Sequence, residues 1–514
     1  MSHRCFKEGG QWARASTYGT RNGVFTKNNR GINVTNITKM KIALLGATAL
    51  LASTAAQAQV ADTWTIDNAA AGLSITSNNG SADSTANVIM NSAAATDGTS
   101  GAVITDGQKN SISATALGAS AGASFTVTSS TDSSLTAQII GNGDNTQVSA
   151  NSFGNVQNFG EILDATIAAG TSNSISRAAL GASGSVNASV TVLGGEQVSN
   201  YTIGGVDIKA QNNLILNTDG DLSVGLVSNG TNITTADALG GNSNSVSAAA
   251  LGSSASLGAS TMILDGSETG TFNFGVNSDG LDPTSNAAAG ITVFSGNQSN
   301  VVLAAPSADF TDLSDPTVVS PASLTGAIGE GTNSNSISAS AIGSSAGVSY
   351  STTVYGGDVS NVANFNTVVD DTGAFTSSDT FTITSFNGAD LTDATGATAI
   401  DPTSVSGEAL PAVINNTDIA GATIGTDGAN NSISVAGIGS SASMSFSVND
   451  YSGGGSSIAN TINSAAPTIL SVNYANVNVG STLTTPTIDG GVSNSVSAAA
   501  IGASASQAFS LFTK

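Results

Sequence analysis

One cysteine and one histidine occur in 514 residues, and both, Cys5 and His3, stand at the extreme N-terminus. Charge is scarce as well. The 12 Lys and Arg crowd into the start, eight of them before residue 42, and 35 Asp and Glu bring the net charge to -23. Aromatic residues make up 5% of the chain, and there are eight prolines. Beyond residue 58 there is no Cys or His, and the only basic residues are Lys109, Arg177, Lys209 and Lys514. Each absence excludes a chemistry. No disulfide framework can form. Serine–histidine and cysteine–histidine catalysis lack their bases and nucleophiles, and the usual zinc, haem and iron–sulfur ligand sets are missing. Four basic residues cannot neutralise phosphates, so nucleic acid is excluded as a partner. The acidic excess argues against anionic membrane surfaces. After residue 58 nothing approaches the 18 or so consecutive apolar residues of a transmembrane helix.

The basic residues that do exist mark a boundary. From Met40 the chain reads MKIALLGATALLASTAAQAQV: a positive start, an apolar run from Ile42 to Leu51, and the small triplet Ala56-Gln57-Ala58. This is the pattern of a secretory signal peptide, 40–58, with cleavage before Gln59. Residues 1–39 are polar, basic and without hydrophobic period, and read as a leader ahead of the true start at Met40. The expected location is therefore secreted, extracellular or on the cell surface, with a Gram-negative outer surface favoured.

What is abundant is repetition. An 11-residue phrase recurs six times: NSISATALGAS at Asn110, NSISRAALGAS at Asn173, NSVSAAALGSS at Asn244, NSISASAIGSS at Asn335, NSISVAGIGSS at Asn431 and NSVSAAAIGAS at Asn494. Its glycine stands at Gly118, Gly181, Gly252, Gly343, Gly439 and Gly502. These Asn and Gly are structural repeat positions. Fixed phrases at uneven intervals mean a shared structural unit with variable insertions. The domain plan is a β cap region over 59–109 followed by six β cassettes over 110–514, starting at 110, 173, 244, 335, 431 and 494.

Counting Asn as offset 0, Ile or Val at offset 2 and Ala or Gly at 6 alternate with Ser, while apolar residues at offsets 13, 15, 17 or 19 alternate in the opposite phase. Period-2 alternation predicts a strand with one buried face, and the change of phase near offsets 7 and 8 predicts a bulge or corner there. Offsets 4 and 5 vary and are read as pointing outward, with Arg177 at such a place. Turn chemistry brackets the copies, with TDGQK (105–109), AAGTS (168–172), GEGTNS (329–334), TDGAN (426–430) and IDGGVS (488–493) ahead and LGGEQVSN (193–200), YGGDVSN (355–361) and YSGGGSS (451–457) behind. Two proline clusters, at 283–321 and 402–411, read as irregular loops, and no long helix is expected. With few aromatics and few Leu, no large conventional core is expected. Asparagines stacked from copy to copy offer a side-chain amide ladder instead. The fold class that follows is all-β: an extended repeat architecture, β-solenoid or stacked β-sheets, of six uneven cassettes.

The phrase G-x-x-N-S-[IV]-S, together with GNGDNTQVSANSFGNVQN at 141–158, resembles the curlin-type repeats of bacterial surface fibres. The copy at Asn335 has its Gly one position earlier, and curlin repeats are much shorter and richer in Gln, so curli assembly does not carry over. More broadly the chain is similar to the β-strand-repeat surface proteins and adhesins of Gram-negative bacteria. The resemblance implies self-association or contact with other cell-surface components.

Few residues could carry chemistry. Acidic residues lie singly in turns and inserts, which leaves no recurring carboxylate pair and no catalytic residue to name. Asp-Gly turns at Asp106, Asp219, Asp279, Asp427 and Asp489 are read first as turn chemistry, with calcium as the alternative, since both the EF-hand pattern and the calcium β-roll nonapeptide are missing. No other cofactor or metal site is expected. The expected function is an exported structural protein of the cell surface, matrix or a fibre, with no enzymatic activity. Two alternatives stand beside it: an adhesin that binds a glycan or protein through the long inserts (roughly 265–334 and 358–425), and a carboxylate-based carbohydrate-active β-helix enzyme. A surface of regularly spaced Thr, as on ice-binding solenoids, is weaker still, because no strict TxT period appears.

Overall fold

The phrase with its continuation forms one uninterrupted strand of 19 residues in every copy: Ser111–Ser129, Ser174–Val192, Ser245–Ile263, Ser336–Val354, Ser432–Asp450 and Ser495–Thr513. The β-branched residue at offset 2, the Ser density and the central Gly all disfavour helix. In the computed structural model these six strands pair side by side, all parallel and in identical register, so that Ile175 lies between Ile112 and Val246. The structure describes residues 63–67, 73–81, 86–91, 103–139, 146–159, 162–213, 215–216, 222–223, 225–235, 237–275, 290–305, 320–369, 375–377, 381–388, 412–480 and 483–513. The leader and signal segment, 1–58, lie outside the described residues, as does most of both proline clusters.

Between consecutive long strands the chain passes through four shorter strands that also stack in parallel, giving five six-stranded sheets, and the last three coils add a fifth short strand, Ala327–Ile328, Thr423–Ile424 and Thr487–Ile488, in a three-stranded parallel sheet. The chain therefore winds through the same sheets in the same order six times. It is a parallel β-solenoid of six coils, each closed by its long strand, with no helix among the described residues. The first coil draws four strands from upstream of the first phrase, Thr63–Asp67, Ser74–Asn79, Val88–Asn91 and Val103–Ile104. The described parts of 265–334 and 358–425 likewise supply short strands of the coils, Ser267–Phe274, Ile291–Asn297, Asn300–Ala304 and Ala322–Thr325 in the first, Asp358–Phe365, Phe381–Asn387, Ala412–Asn415 and Thr417–Ala420 in the second. The unequal spacing arises at the corners, where added chain includes short hairpins such as Ile215–Leu216 with Leu222–Ser223 and Thr367–Val369 with Phe375–Ser377.

The change of phase has a clear physical cause. The glycine at offset 8 drops out of the paired register in every long strand: Leu180 faces Leu251 and Ala182 faces Ser253, with Gly181 between them unpaired. Residues on either side then point inward on opposite phases. The front half, through Ile175, Ala179 and their equivalents, lines one apolar core; the back half, through Val186, Ala188 and Val190, lines a second. Offset 4 belongs to the first core, since Ala248, Ala339 and Val435 are buried there. This corrects the outward reading of Arg177: its side chain is held beside the short strand Val156–Phe159, where Nη2 donates to Asn158 Oδ1 at 2.7 Å.

The cores are also less bare than the composition suggests. Aromatic residues are few but placed in register, so they stack from coil to coil: Tyr201 on Phe272 at 5.3 Å, Phe274 on Phe365 at 5.2 Å, and Phe446 on Phe509 at 5.4 Å between centroids. Such contacts add about 1 kcal/mol each beyond area burial. Among the described residues a single ion pair occurs, the partly exposed Lys209–Asp207, so charge pairing contributes little to stability.

Candidate functional site

The six phrase asparagines are the first candidates, and from Asn173 onward their side chains are engaged in the fold through both oxygen and nitrogen. The backbone N–H of Asn110 donates to Oδ1 of Asn173, and the relation repeats from Asn173 to Asn244, Asn244 to Asn335, Asn335 to Asn431 and Asn431 to Asn494, at 2.8–3.0 Å. The carboxamide nitrogen of each donates to a turn carbonyl, of its own coil for Asn110, of the preceding coil for Asn335 and Asn431, and of both for Asn173, Asn244 and Asn494. Asn244 Nδ2, for example, donates to Gly240 O at 2.7 Å in its own turn and to Gly170 O at 3.3 Å in the preceding coil. That grip holds an unusual backbone. The residue just before every phrase asparagine is left-handed without being glycine: Lys109, Ser172, Ser243, Ser334, Asn430 and Ser493 all have φ of 57–60°. Such a conformation is uncommon for non-Gly residues and needs surrounding structure to maintain it. The expected amide-to-amide ladder is thus replaced at this position by an amide-to-backbone ladder.

A true amide ladder exists elsewhere. Asn212 Nδ2 donates to Asn297 Oδ1 at 3.0 Å, Asn297 to Asn387 at 2.8 Å, and Asn387 to Asn473 at 2.8 Å. It lies between the two cores, against the column of offset-8 glycines. A Cβ on Gly181 would lie 2.8 Å from Asn212 Cγ, and would also collide with Gly252 O of the next coil. Sheet and ladder can approach this closely only where the side chain is a hydrogen atom. Serines at offset 9 extend the polar wall: Ser253 pairs with Ser295 at 2.8 Å, and Ser344 and Ser440 pair with Ser385 and Ser471. None of these signals needed the structure to be seen as repeated, but only the register shows which Asn outside the phrase aligns with which.

The acids are not all in turns. Glu268 sits in the strand Ser267–Phe274, points into the second core and is 1% exposed. It stacks between Gln197 and Val359 of the flanking coils. Its Oε2 accepts from Asn361 Nδ2 at 3.1 Å, and that nitrogen also reaches Thr261 Oγ1 at 3.1 Å. Burial pushes the Glu268 carboxyl above its usual range, opposed by hydrogen bonds from Asn361, Thr261 and Ser199. Burial, then the Glu268 charge, pushes the Tyr201 hydroxyl up, and burial raises Tyr350 as well. Glu268 Oε1, Tyr201 OH, Asn361 Oδ1 and Asn460 Nδ2 are buried without a partner among the described residues. Sequence reading missed this network because a lone Glu in SETG has no pattern; only the alignment of Gln197 with Glu268 could have flagged it.

The network carries a pH prediction. Folded Glu268 holds its proton more tightly than the unfolded chain does. The stability it contributes is therefore complete below the ordinary carboxyl range and declines as pH rises through the raised value. Glu268→Gln should remove this decline. Urea midpoints of the two proteins, compared from about pH 4 to about pH 8, should separate increasingly with pH, the variant being the more stable; parallel curves would contradict a buried, proton-binding Glu268.

Turn carboxylates bind backbone. Asp106 and Asp265 accept from the N–H of the following glycine, while Asp132 and Asp358 accept from Glu196 and Ser457 N–H of the next coil. Among the described residues no three acidic, Cys or His side chains converge as metal ligands. Asp219 and Asp279 lie outside those residues. Arg177, the one guanidinium after the leader, is shifted down by burial and is bound to Asn158 and Phe159 O. Among the described residues no helix is long and apolar enough to cross a membrane. No protein-family model, curated protein or solved structure matches the chain.

Proposed function

We propose that the chain is an exported structural component of the cell surface or extracellular matrix, without enzymatic activity. The observation that supports this most is how the repeated phrase is used. Its asparagines, serines and glycines are engaged with backbone and with each other, coil after coil, so what the sequence repeats is scaffold. The secretory pattern at 40–58 supports export, and the resemblance to β-strand-repeat surface proteins supports a Gram-negative outer surface. Self-association or contact with other surface components would suit such a scaffold.

The test is location. In the native host, an antibody against the coils should detect the chain on intact cells or in the medium, with a mature N-terminus at Gln59, and external protease should remove the cell-bound signal. Recovery of the protein only from the cytoplasm, with residues 1–58 attached, would refute the proposal.

A further inference from the structure

The two end coils differ from the four between them. Of the fourteen large apolar side chains that are well exposed among the described residues, eleven belong to coil 1 or coil 6. In the last long strand Phe509 is 67% and Leu511 74% exposed. Edge strands of soluble proteins are normally guarded by charge, proline or a covering segment. Here Ser495–Thr513 carries no charge, and neither do the four shorter strands Ile458–Ser464, Thr468–Asn473, Asn476–Val479 and Leu483–Thr484. Pro467 and Pro486 stand before strands and leave the ladders open. Among the described residues each of these strands pairs on one side only.

The geometry points to a partner for this face: coil 1 of a second copy of the chain, stacked in the register that already joins the six coils. This deepens the structural reading above and rests on it. Three independent features fit. First, the phrase ladder is directional, each backbone N–H donating to the carboxamide oxygen of the next coil. Asn494 N–H has no acceptor among the described residues, and Asn110 Oδ1 has no donor. One end lacks what the other presents. Second, the amide ladder is directional in the same sense. Asn297 Nδ2 donates both to Ser299 O at 2.7 Å and to Asn387 Oδ1, whereas among the described residues Asn473 Nδ2 makes only the first kind of bond, to Ala475 O at 2.8 Å. Asn79 occupies that ladder position in coil 1.

Third, the apolar positions agree. At offsets 2, 7, 15 and 17 coil 6 presents Val496, Ile501, Phe509 and Leu511, and coil 1 presents Ile112, Leu117, Phe125 and Val127. Stacked in register, Phe509 would continue onto Phe125 the aromatic contact it makes with Phe446. The contact is head-to-tail, joins two different surfaces, and so propagates without closing. Two tails facing each other would set donor against donor in both ladders.

The test uses the full chain, and alongside it the chain from Gln59, which retains every described residue. Leu511→Glu is designed to block the tail and Ile112→Glu the head, both at exposed sites, and circular dichroism should show the coils intact. In sedimentation velocity the unaltered protein should form species larger than dimers that grow with concentration. Each variant alone should associate about a hundredfold more weakly, while their equimolar mixture should yield a dimer and nothing larger, because one free head then meets one free tail. An unaltered protein that stays monomeric at every concentration overturns the proposal. Dimers of Ile112→Glu alone would mean tail-to-tail pairing, and undiminished growth by both variants would mean lateral association; either result also overturns it. Cell location is read separately, so export without assembly, or assembly without export, shows which reading has failed.

Discussion

Gly181→Val should be the most damaging single substitution in the body of the solenoid, destabilising it by about 3 kcal/mol or more. The new side chain would enter the wall between the cores, where its first carbon already lies 2.8 Å from Asn212 Cγ and overlaps the carbonyl of Gly252. Neither neighbour can yield. Asn212 is fixed by its bond to Asn297, and the Gly252 carbonyl is held between Leu251 and Ser253, each paired with the long strands on both sides. Gly194→Ala is the control, in the turn that follows the same long strand. Its Cβ would meet only Ser130 O at 3.7 Å, so its effect should stay within about 0.5 kcal/mol. Urea midpoints followed by far-ultraviolet circular dichroism read both. Equal losses would mean that glycine serves general flexibility and not close approach at the wall.

The second large effect is expected at Asn244. Alanine there removes the acceptor of Asn173 N–H and the donor to Gly170 O and Gly240 O, in buried surroundings. Unmet buried polar groups cost about 1–3 kcal/mol each, so Asn244→Ala should lose about 3 kcal/mol. The same change at Asn110 tests the explanation. Among the described residues that side chain makes one exposed bond, Nδ2 to Asp106 O at 3.3 Å, and its loss should cost less than about 1 kcal/mol. Similar losses at the two sites would place the effect in the turn and not in the ladder between coils.

These predictions show where sequence and structure part. The strand, its two phases, the corner at the glycine and the all-β repeat class were legible because they rest on side-chain period and on one residue without a Cβ. The inward side of Arg177 was not. Variability at offset 4 suggests a surface position, yet Ala248, Ala339 and Val435 vary there inside a core wide enough for several sizes. The glycine was visible as a corner, but its partner Asn212 lies 31 residues on, in a strand whose alignment no local pattern gives. Aromatic content hid the stacked rings, since sparse residues in register form columns while a percentage records only their scarcity. Glu268 was lost for a related reason: its meaning comes from the residues above and below it, 71 and 91 positions away.

Those long separations have a kinetic side. Each phrase asparagine meets its counterpart across 63 to 96 residues of chain, so no pairing of the long strands is local. Closing the longer of these loops costs only about 0.4 kcal/mol more than closing the shorter, because loop entropy grows with the logarithm of length. The chain can therefore lengthen its corners freely, as coils 3 to 5 have done, with little thermodynamic consequence. The first closure bears almost the whole entropic barrier, since two coils must meet before any ladder bond exists to hold them. Every later coil finds a finished edge waiting. Folding of such a chain is then one slow nucleation followed by rapid growth along the axis, like crystallisation in one dimension.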